Sequence, residues 1–441
     1  MSGLRRSLGP LQATAMVVGT IIGASIFVQP SEITARVPSL AWILLAWGAA
    51  GALTLLGALI TAELASAIPR AGGVYDFLRE AFAPSLGFLW GWAMFWIMHS
   101  GIIAAIAVIF ARYAGYFVPL NDWGIRLVAI GAVAALSGIN LFGVRQGAAI
   151  QTGLTLAKLL AIAIILAAGF TLGASLPDHF VGATGETVPI RATDFAAAVG
   201  AGLFAFGGWH MVTYTAEETR EPERTLPRAL AVGTLVVTVC YIALNAAYLY
   251  VLPLDRVIGS ERVAADAAES LIGTLGGSLV SGLVLVSTFG ALAGIVLTGP
   301  RVYYAMAQDG LLFRWAGHVH PRFGTPSRAI ALQAVWSSVL VATGSYRALF
   351  SRVIFTEWLF FGLMALGLLL LRRRAGHAPR FRVPAARVVV AVFAAASGLI
   401  VINQILTEPA DSGIGLLFVA SGLPVYALWS RRRSRATEPE R

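Results

Sequence analysis

Charge is scarce in this sequence. Of its 441 residues only 12% are Asp, Glu, Lys or Arg, about half the share usual in soluble domains. So little charge does not coat a water-facing surface, which argues against a soluble enzyme. Lysine is nearly missing: Lys158 is the single lysine among 32 basic residues. Cysteine is limited to Cys240, which excludes an internal disulfide framework and a cysteine-based zinc cluster. Neither a His-Glu-x-x-His helix nor a Gly-x-Ser-x-Gly elbow occurs, so a zinc-protease helix and a serine-hydrolase turn are both lacking. Long linkers and low-complexity tracts are absent as well.

What is present is apolar. Hydrophobic residues make up 58% of the chain and mean hydropathy is +0.78. A helix needs about 20 apolar residues to cross a bilayer. Twelve stretches meet that need: 11–37, 40–68, 84–117, 123–142, 149–173, 195–218, 227–252, 276–303, 328–345, 349–371, 386–407 and 412–430. The first follows Arg5 and Arg6, has no small-residue cleavage site and precedes further spans, so it reads as a retained helix rather than a signal peptide.

The net charge of +10 and the pI of about 10.2 would suit a nucleic-acid partner, but the placement of the charges argues otherwise. Twelve spans put both termini on one side. That side collects 23 arginines, among them Arg70, Arg79, Arg220, Arg301, Arg372 and Arg374, and the other side collects eight. This is the positive-inside bias, and it accounts for the pI without nucleic acid. It makes residues 1–10 a cytoplasmic N-terminus and 431–441 a disordered cytoplasmic tail. It also leaves 174–194 as the one sizeable outside loop. Residues 260–272 suit a short surface helix.

Two spans carry glycines at mid-membrane. The first contains Gly19-Thr20-Ile21-Ile22-Gly23-Ala24-Ser25-Ile26-Phe27, and the sixth contains Gly202-Leu203-Phe204-Ala205-Phe206-Gly207-Gly208-Trp209. Glycine weakens a helix, and unwound backbone at that depth is tolerated only around a protein-enclosed cavity. The alternative is close helix packing on small residues. The two segments open successive blocks of five spans, and matched interruptions of this kind point to a transporter's midplane site. Helix-terminal N–H groups suit a carboxylate and freed carbonyls suit an ammonium, so the pair suits an amino acid.

At these residues the sequence resembles the amino acid–polyamine–organocation superfamily, and within it the L-amino-acid transporter group. Gly19-Thr20-Ile21-Ile22-Gly23 through Ile26-Phe27 matches that group's first-span motif, and Leu203 through Trp209 its sixth-span motif. Further matches are Ala216-Glu217-Glu218 with Pro222, Arg224 and Pro227; Ala62-Glu63-Leu64 with Ile68-Pro69-Arg70-Ala71-Gly72-Gly73 and Tyr75; and Ser287-Thr288-Phe289-Gly290 with Arg301, Asp309-Gly310 and His320-Pro321. The resemblance implies an all-α membrane protein of LeuT-type fold: twelve transmembrane helices, a 5+5 inverted repeat over 11–173 and 195–371, helices 1 and 6 broken, and two further helices in 386–430. It implies transport by alternating access and no enzyme activity. Backbone at Ile21, Gly23, Ala24 and Ser25 would bind the substrate carboxylate and amine. Carbonyls of Phe204, Ala205 and Gly207 would bind the ammonium, and Phe204 would gate the site. Gly23-Ala24-Ser25 stands where the family often has Gly-Ser-Gly, which narrows the pocket toward small substrates. Residues 116–123 lack the cysteine by which animal members bond a heavy chain, so no disulfide-linked heavy chain is expected. No cofactor and no metal is expected either.

Charged residues inside spans are functional hypotheses by default. The resemblance places Lys158 beside spans one and eight, where its ammonium would replace a sodium ion on carbonyls near Gly23; the bland reading is a lysine reaching for the interface. Glu357, next to Trp358, would bind a cationic side chain or carry a proton, or else pair with Arg352. His210 would tune selectivity or titrate, whereas His99 reads as a packing residue. Trp358 would shape the pocket wall. Glu63 reads as paired with a loop arginine, and Glu217 and Glu218 as an inner gate or, in preference, a solvated charge cluster. Together these features predict an exchanger of small neutral L-amino acids in the plasma membrane. The alternative is a proton-coupled symporter for amino acids or polyamines.

Overall fold

Apolar chain in lipid has no water to satisfy its backbone, so it closes its hydrogen bonds within helices. The computed structural model describes residues 8–23, 25–141, 144–173, 189–344, 346–374 and 376–437. Among these residues every regular element is helical, apart from one isolated parallel bridge between Leu8 and Thr219.

Helix α1 (Pro10–Ile21) starts with proline at its first position, where a missing N–H costs nothing. The Gln12 side chain accepts the Gly9 N–H at 3.1 Å. A 3-10 turn (Ser25–Phe27) and helix α2 (Gln29–Arg36) follow. Helix α3 spans Leu40–Ala67 and α4 spans Val74–Ala81. Helix α5 (Pro84–Ala93) continues through a π-helical turn (Met94–Met98) into α6 (His99–Ala114) as one span. Next come α7 (Asp122–Leu141), α8 (Val144–Leu172) and α9 (Ala192–Ala205), the last followed by a 3-10 segment (Trp209–Glu218). The second half holds α10 (Pro222–Val251), short α11 (Leu254–Ile258) and α12 (Val263–Ile272), and the long α13 (Thr274–Gln308). Helices α14 (Ser327–Thr343), α15 (Tyr346–Leu371), α16 (Ala386–Thr407) and α17 (Pro409–Thr437) complete it.

Among the described residues ten helices are long and apolar enough to cross a membrane. They coincide with ten of the twelve predicted spans. The other two are 11–37 and 328–345, where α1 has 12 residues and α14 has 17. At 1.5 Å per residue these reach about 18 and 26 Å, short of a hydrocarbon core of about 30 Å. The helix expected at 260–272 is α12, but Val263, Ala264, Ala265 and Ala267 are buried, so it is packed into the protein. The expectation of a disordered tail from 431 is corrected: α17 continues to Thr437. Residues 174–188 of the predicted outside loop, and 438–441, lie outside the described residues.

Helix α3 lies along α10, and α1 packs against α10, α8 and α13. Helix α6 is buried along Ile102–Ile109, whereas α16 and α17 turn Val388, Leu399, Leu406, Leu417 and Leu428 outward, as lipid-facing helices do. Ahead of α1, Leu8 is buried and its backbone is paired on both sides. The Leu8 N–H donates to the Glu218 carbonyl at 3.0 Å, and the Arg220 N–H donates to the Leu8 carbonyl at 2.8 Å.

Candidate functional site

Where α1 stops, its last carbonyls lose the N–H partners that a continuing helix would supply. The Gly23 N–H turns back to the Ile21 carbonyl at 2.7 Å instead of reaching Gly19. Helix α9 stops in the same way: the Gly207 N–H donates to the Phe204 carbonyl at 2.9 Å, and Gly208 adopts φ +96°, a left-handed conformation that favours glycine. The two ends meet. A Cβ on Gly208 would lie 3.2 Å from the Thr20 carbonyl, and the Thr20 hydroxyl, which donates to the Met16 carbonyl at 2.7 Å, lies 3.3 Å from the Gly208 carbonyl. Ile21, Gly23, Ser25, Phe204, Ala205 and Gly207 are thereby brought into one region, most of them buried. Ala24, predicted to share that site, lies outside the described residues.

Tyr241 of α10 joins the two ends directly. Its hydroxyl stands 2.8 Å from the Ile21 carbonyl and 3.0 Å from the Ala205 carbonyl, and donates into the pair. Trp47 and Phe206 hold its ring at 5.4 and 4.9 Å between centroids. Sequence reading passed over Tyr241, because a tyrosine in an apolar run gives no sign of what its hydroxyl meets.

Lys158 enters from α8. Its ammonium donates to the Gly19 carbonyl at 3.0 Å and to the Ile22 carbonyl at 2.9 Å. One turn earlier, Thr155 donates to the Ala15 carbonyl at 3.0 Å. A Cβ on Gly290 would lie 3.4 Å from the lysine Cε, so the side chain runs between α1 and α13. A cation at the C-terminal end of α1 is favoured by the helix dipole, and both hydrogen bonds are charge-assisted. The lysine is buried and does not reach for the interface.

The remaining intramembrane candidates lie on the 3-10 segment, α6 and α15. His210 is packed among Trp90, Trp209, Tyr214 and Phe361 at 5.0 to 5.8 Å between ring centroids, and its Nδ1 has no hydrogen-bond partner. The His99 Nε2 lies 2.7 Å from the Ile295 carbonyl, as a packing histidine does. Trp358 stacks toward Phe361 and the Phe393 ring of α16. Glu357 is buried, and Arg352 does not pair with it: Arg352 binds Asp411 of α17 at 2.9 Å. Residues five apart on a helix point about 140° away from each other, so the expected pair fails on geometry.

The arginine-rich ends of the helices carry networks of ion pairs. Glu63 accepts both prongs of Arg372 at 2.7 and 2.5 Å, and also the Val383 N–H at 2.7 Å. Glu218 is buried against Arg301, whereas Glu217 is exposed and accepts the Ala71 N–H at 3.2 Å. The expected solvated cluster is therefore corrected for Glu218. Neighbours in a 3-10 segment point about 120° apart, so one faces in when the other faces out. Arg79 of α4 pairs with Asp309 at the end of α13 and with Asp76 at 2.9 Å, and the Tyr75 hydroxyl donates to Asp309 at 2.6 Å. Burial pushes the Asp76 carboxyl up to about 6, against the opposing pull of Arg79. Among the described residues no three His, Cys, Asp or Glu side chains are grouped to hold a metal ion.

A family model described as amino acid permease matches residues 8–428. The serine/threonine exchanger SteT of Bacillus subtilis (strain 168) is 34% identical over 440 residues, covering 98% of this chain and 99% of that protein. The b(0,+)-type amino acid transporter 1 of Homo sapiens is 30% identical over 434 residues, covering 97% and 88%. The cystine/glutamate transporter of Homo sapiens is 30% identical over 434 residues, covering 97% and 85%.

Proposed function

Because the chain belongs to the amino acid permease family and is a multi-pass membrane transporter rather than an enzyme, we propose that it exchanges small neutral L-amino acids by alternating access. The observation that carries the proposal is the meeting of the α1 and α9 ends at Thr20 and Gly208, bridged by Tyr241. In this reading α1 and α2 are two halves of one interrupted span, and α9 and the following 3-10 segment are two halves of another. Counting α1 with α2, and α14, as spans gives twelve, arranged as a LeuT-type 5+5 inverted repeat with two added helices. Both termini then face the cytoplasm, and the membrane is the plasma membrane.

The substrate zwitterion sits between the interrupted helices. Backbone around Ile21, Gly23, Ala24 and Ser25 takes its carboxylate and amine, and carbonyls of Phe204, Ala205 and Gly207 take its ammonium. Phe204 closes the site. Lys158 keeps the end of α1 in register with α8 and α13, in place of an ion. The name of the serine/threonine exchanger supports a small neutral substrate, as does the extra bulk of Ala24-Ser25. The name of the cystine/glutamate transporter shows that relatives of similar identity take larger cargo.

Counterflow in proteoliposomes tests the proposal. Radiolabelled L-serine should enter vesicles preloaded with unlabelled L-serine or L-alanine, and empty vesicles should take up little. Equal uptake into empty and preloaded vesicles would refute exchange. Accumulation in empty vesicles driven by a proton gradient would favour the second reading, proton-coupled symport, for which Glu357 is the supporting residue.

A further inference from the structure

Glu357 is a buried carboxyl without a cation. It lies on α15 within the membrane span Arg352–Leu371, and among the described residues no basic group pairs with it. Other basic groups of the bundle are committed elsewhere: Arg352 to Asp411, Arg372 to Glu63, and Lys158 to the Gly19 and Ile22 carbonyls. Arg347 lies ten residues upstream, about 15 Å along the helix.

Val353, Glu357 and Phe361 are spaced by four and share one face of α15. A Cβ on Gly101 of α6 would lie 2.9 Å from Val353 Cγ2, and Phe361 packs on His210 and Trp209 at 5.0 and 5.1 Å. Glu357 is held between these two contacts, facing the protein interior. The 3-10 segment brings Tyr214, within electrostatic reach of Glu357 and beside Trp90, and His210, whose Nδ1 has no hydrogen-bond partner. Helix α6 brings His99, engaged with Ile295. Helix α3 brings Glu63, held by Arg372; α4 brings Asp76 and Arg79, bound to each other; α17 brings Asp411, bound to Arg352. Helix α16 has only Arg387, which is exposed, α9 has only Asp194 near its start, and the π-helical turn has no titratable group.

We infer that Glu357 is a proton-carrying residue, neutral while the protein is closed and exchanging its proton with water only when a path to it opens. An ionised carboxylate without a partner cation is strongly disfavoured in such an enclosure. The step balances simply. A carboxylate oxygen takes a proton from water on the open side, the neutral acid persists through closure, and the proton returns to water on the side that opens next. The Tyr214 hydroxyl, within electrostatic reach of Glu357, supplies a polar atom near the carboxyl. This role rests on the alternating-access reading above. In exchange mode each half-cycle carries one proton with one substrate, so acid conditions speed exchange without requiring net proton flow.

Two measurements test it. The first is L-serine counterflow with equal pH on both sides, for the wild type and Glu357→Gln. Wild-type exchange should rise about fivefold or more from about pH 9 to about pH 6, and the Gln variant should change less than about twofold, whatever its absolute rate. The second is infrared spectroscopy of the purified wild-type protein, which should show the C=O stretch of a protonated, buried carboxylic acid that Glu357→Gln lacks. A wild-type pH profile in the Gln variant, or no such band in the wild type at acid pH, overturns the inference. So does loss of cationic amino-acid uptake with the pH profile intact, which would make Glu357 a receptor for a substrate cation. An infrared band without counterflow of any amino acid would leave the proton site standing and refute the transport reading instead.

Discussion

Arg301 on α13 grips Glu218 at the end of the 3-10 segment with both prongs of its guanidinium, Nε at 3.0 Å and Nη2 at 3.2 Å, and both side chains are buried. A buried pair of this kind costs more to break than to replace. Glu218→Gln should lower stability by about 3–5 kcal/mol, because it strands the Arg301 charge. Glu218→Met with Arg301→Met should recover part of that loss. Thermal unfolding in detergent measures both. A single variant as stable as the wild type would show that the pair does not hold α13 to this segment.

Lys158→Ala should fold and insert yet lose counterflow by roughly tenfold or more. It leaves the Gly19 and Ile22 carbonyls without their donor, at a cost of about 1–3 kcal/mol localised at the end of α1. Size-exclusion chromatography separates misfolding from loss of transport. Normal exchange by a well-expressed variant would remove Lys158 from the mechanism.

Tyr241→Phe deletes one hydroxyl and keeps the ring that packs on Trp47 and Phe206. The Ile21 and Ala205 carbonyls lose their shared donor. Apparent substrate affinity should fall about 5- to 30-fold, equivalent to about 1–2 kcal/mol, with little change in melting temperature. Saturation kinetics of counterflow would reveal it. An unchanged affinity would mean that the bridge plays no part in shaping the site.

Asp76 sets a pH slope at the arginine-rich end. Burial holds its carboxyl up at about 6, above its ordinary 3.8, despite Arg79 and Arg70. The native state therefore keeps its proton to higher pH than the unfolded chain. This contribution to stability falls as pH rises from about 4 to about 6, and is level above. Asp76→Asn should flatten that part of the melting profile. Parallel profiles for the two proteins would exclude Asp76 as the titrating group.

How much of this was legible in the sequence depends on range. The spans are written in runs of about 20 apolar residues, and ten emerge as helices long enough to cross. Lys158 drew notice as a lone lysine in an apolar run, and Gly207-Gly208 as glycines where a helix should continue; both lie where the α1 and α9 ends are held. Relations that need the folded protein were not readable. Glu218 and Arg301 are separated by 83 positions, and Glu63 and Arg372 by 309. Only helix packing brings them together. Glu357 was legible as an unusual carboxyl, but its lack of a partner appears only once Arg352 is seen turned toward Asp411.

The tie between Leu8 and the chain around Thr219 uses no side chain at all, only N–H and C=O groups that almost any residue supplies. The hydrogen bonds themselves place no demand on side-chain identity, while the buried Leu8 and Thr219 side chains must still fit their surroundings. Substitutions that keep this packing would leave the fastening in place. Trimming the chain through Leu8, or placing a proline at Arg220 where an N–H is required, would undo it.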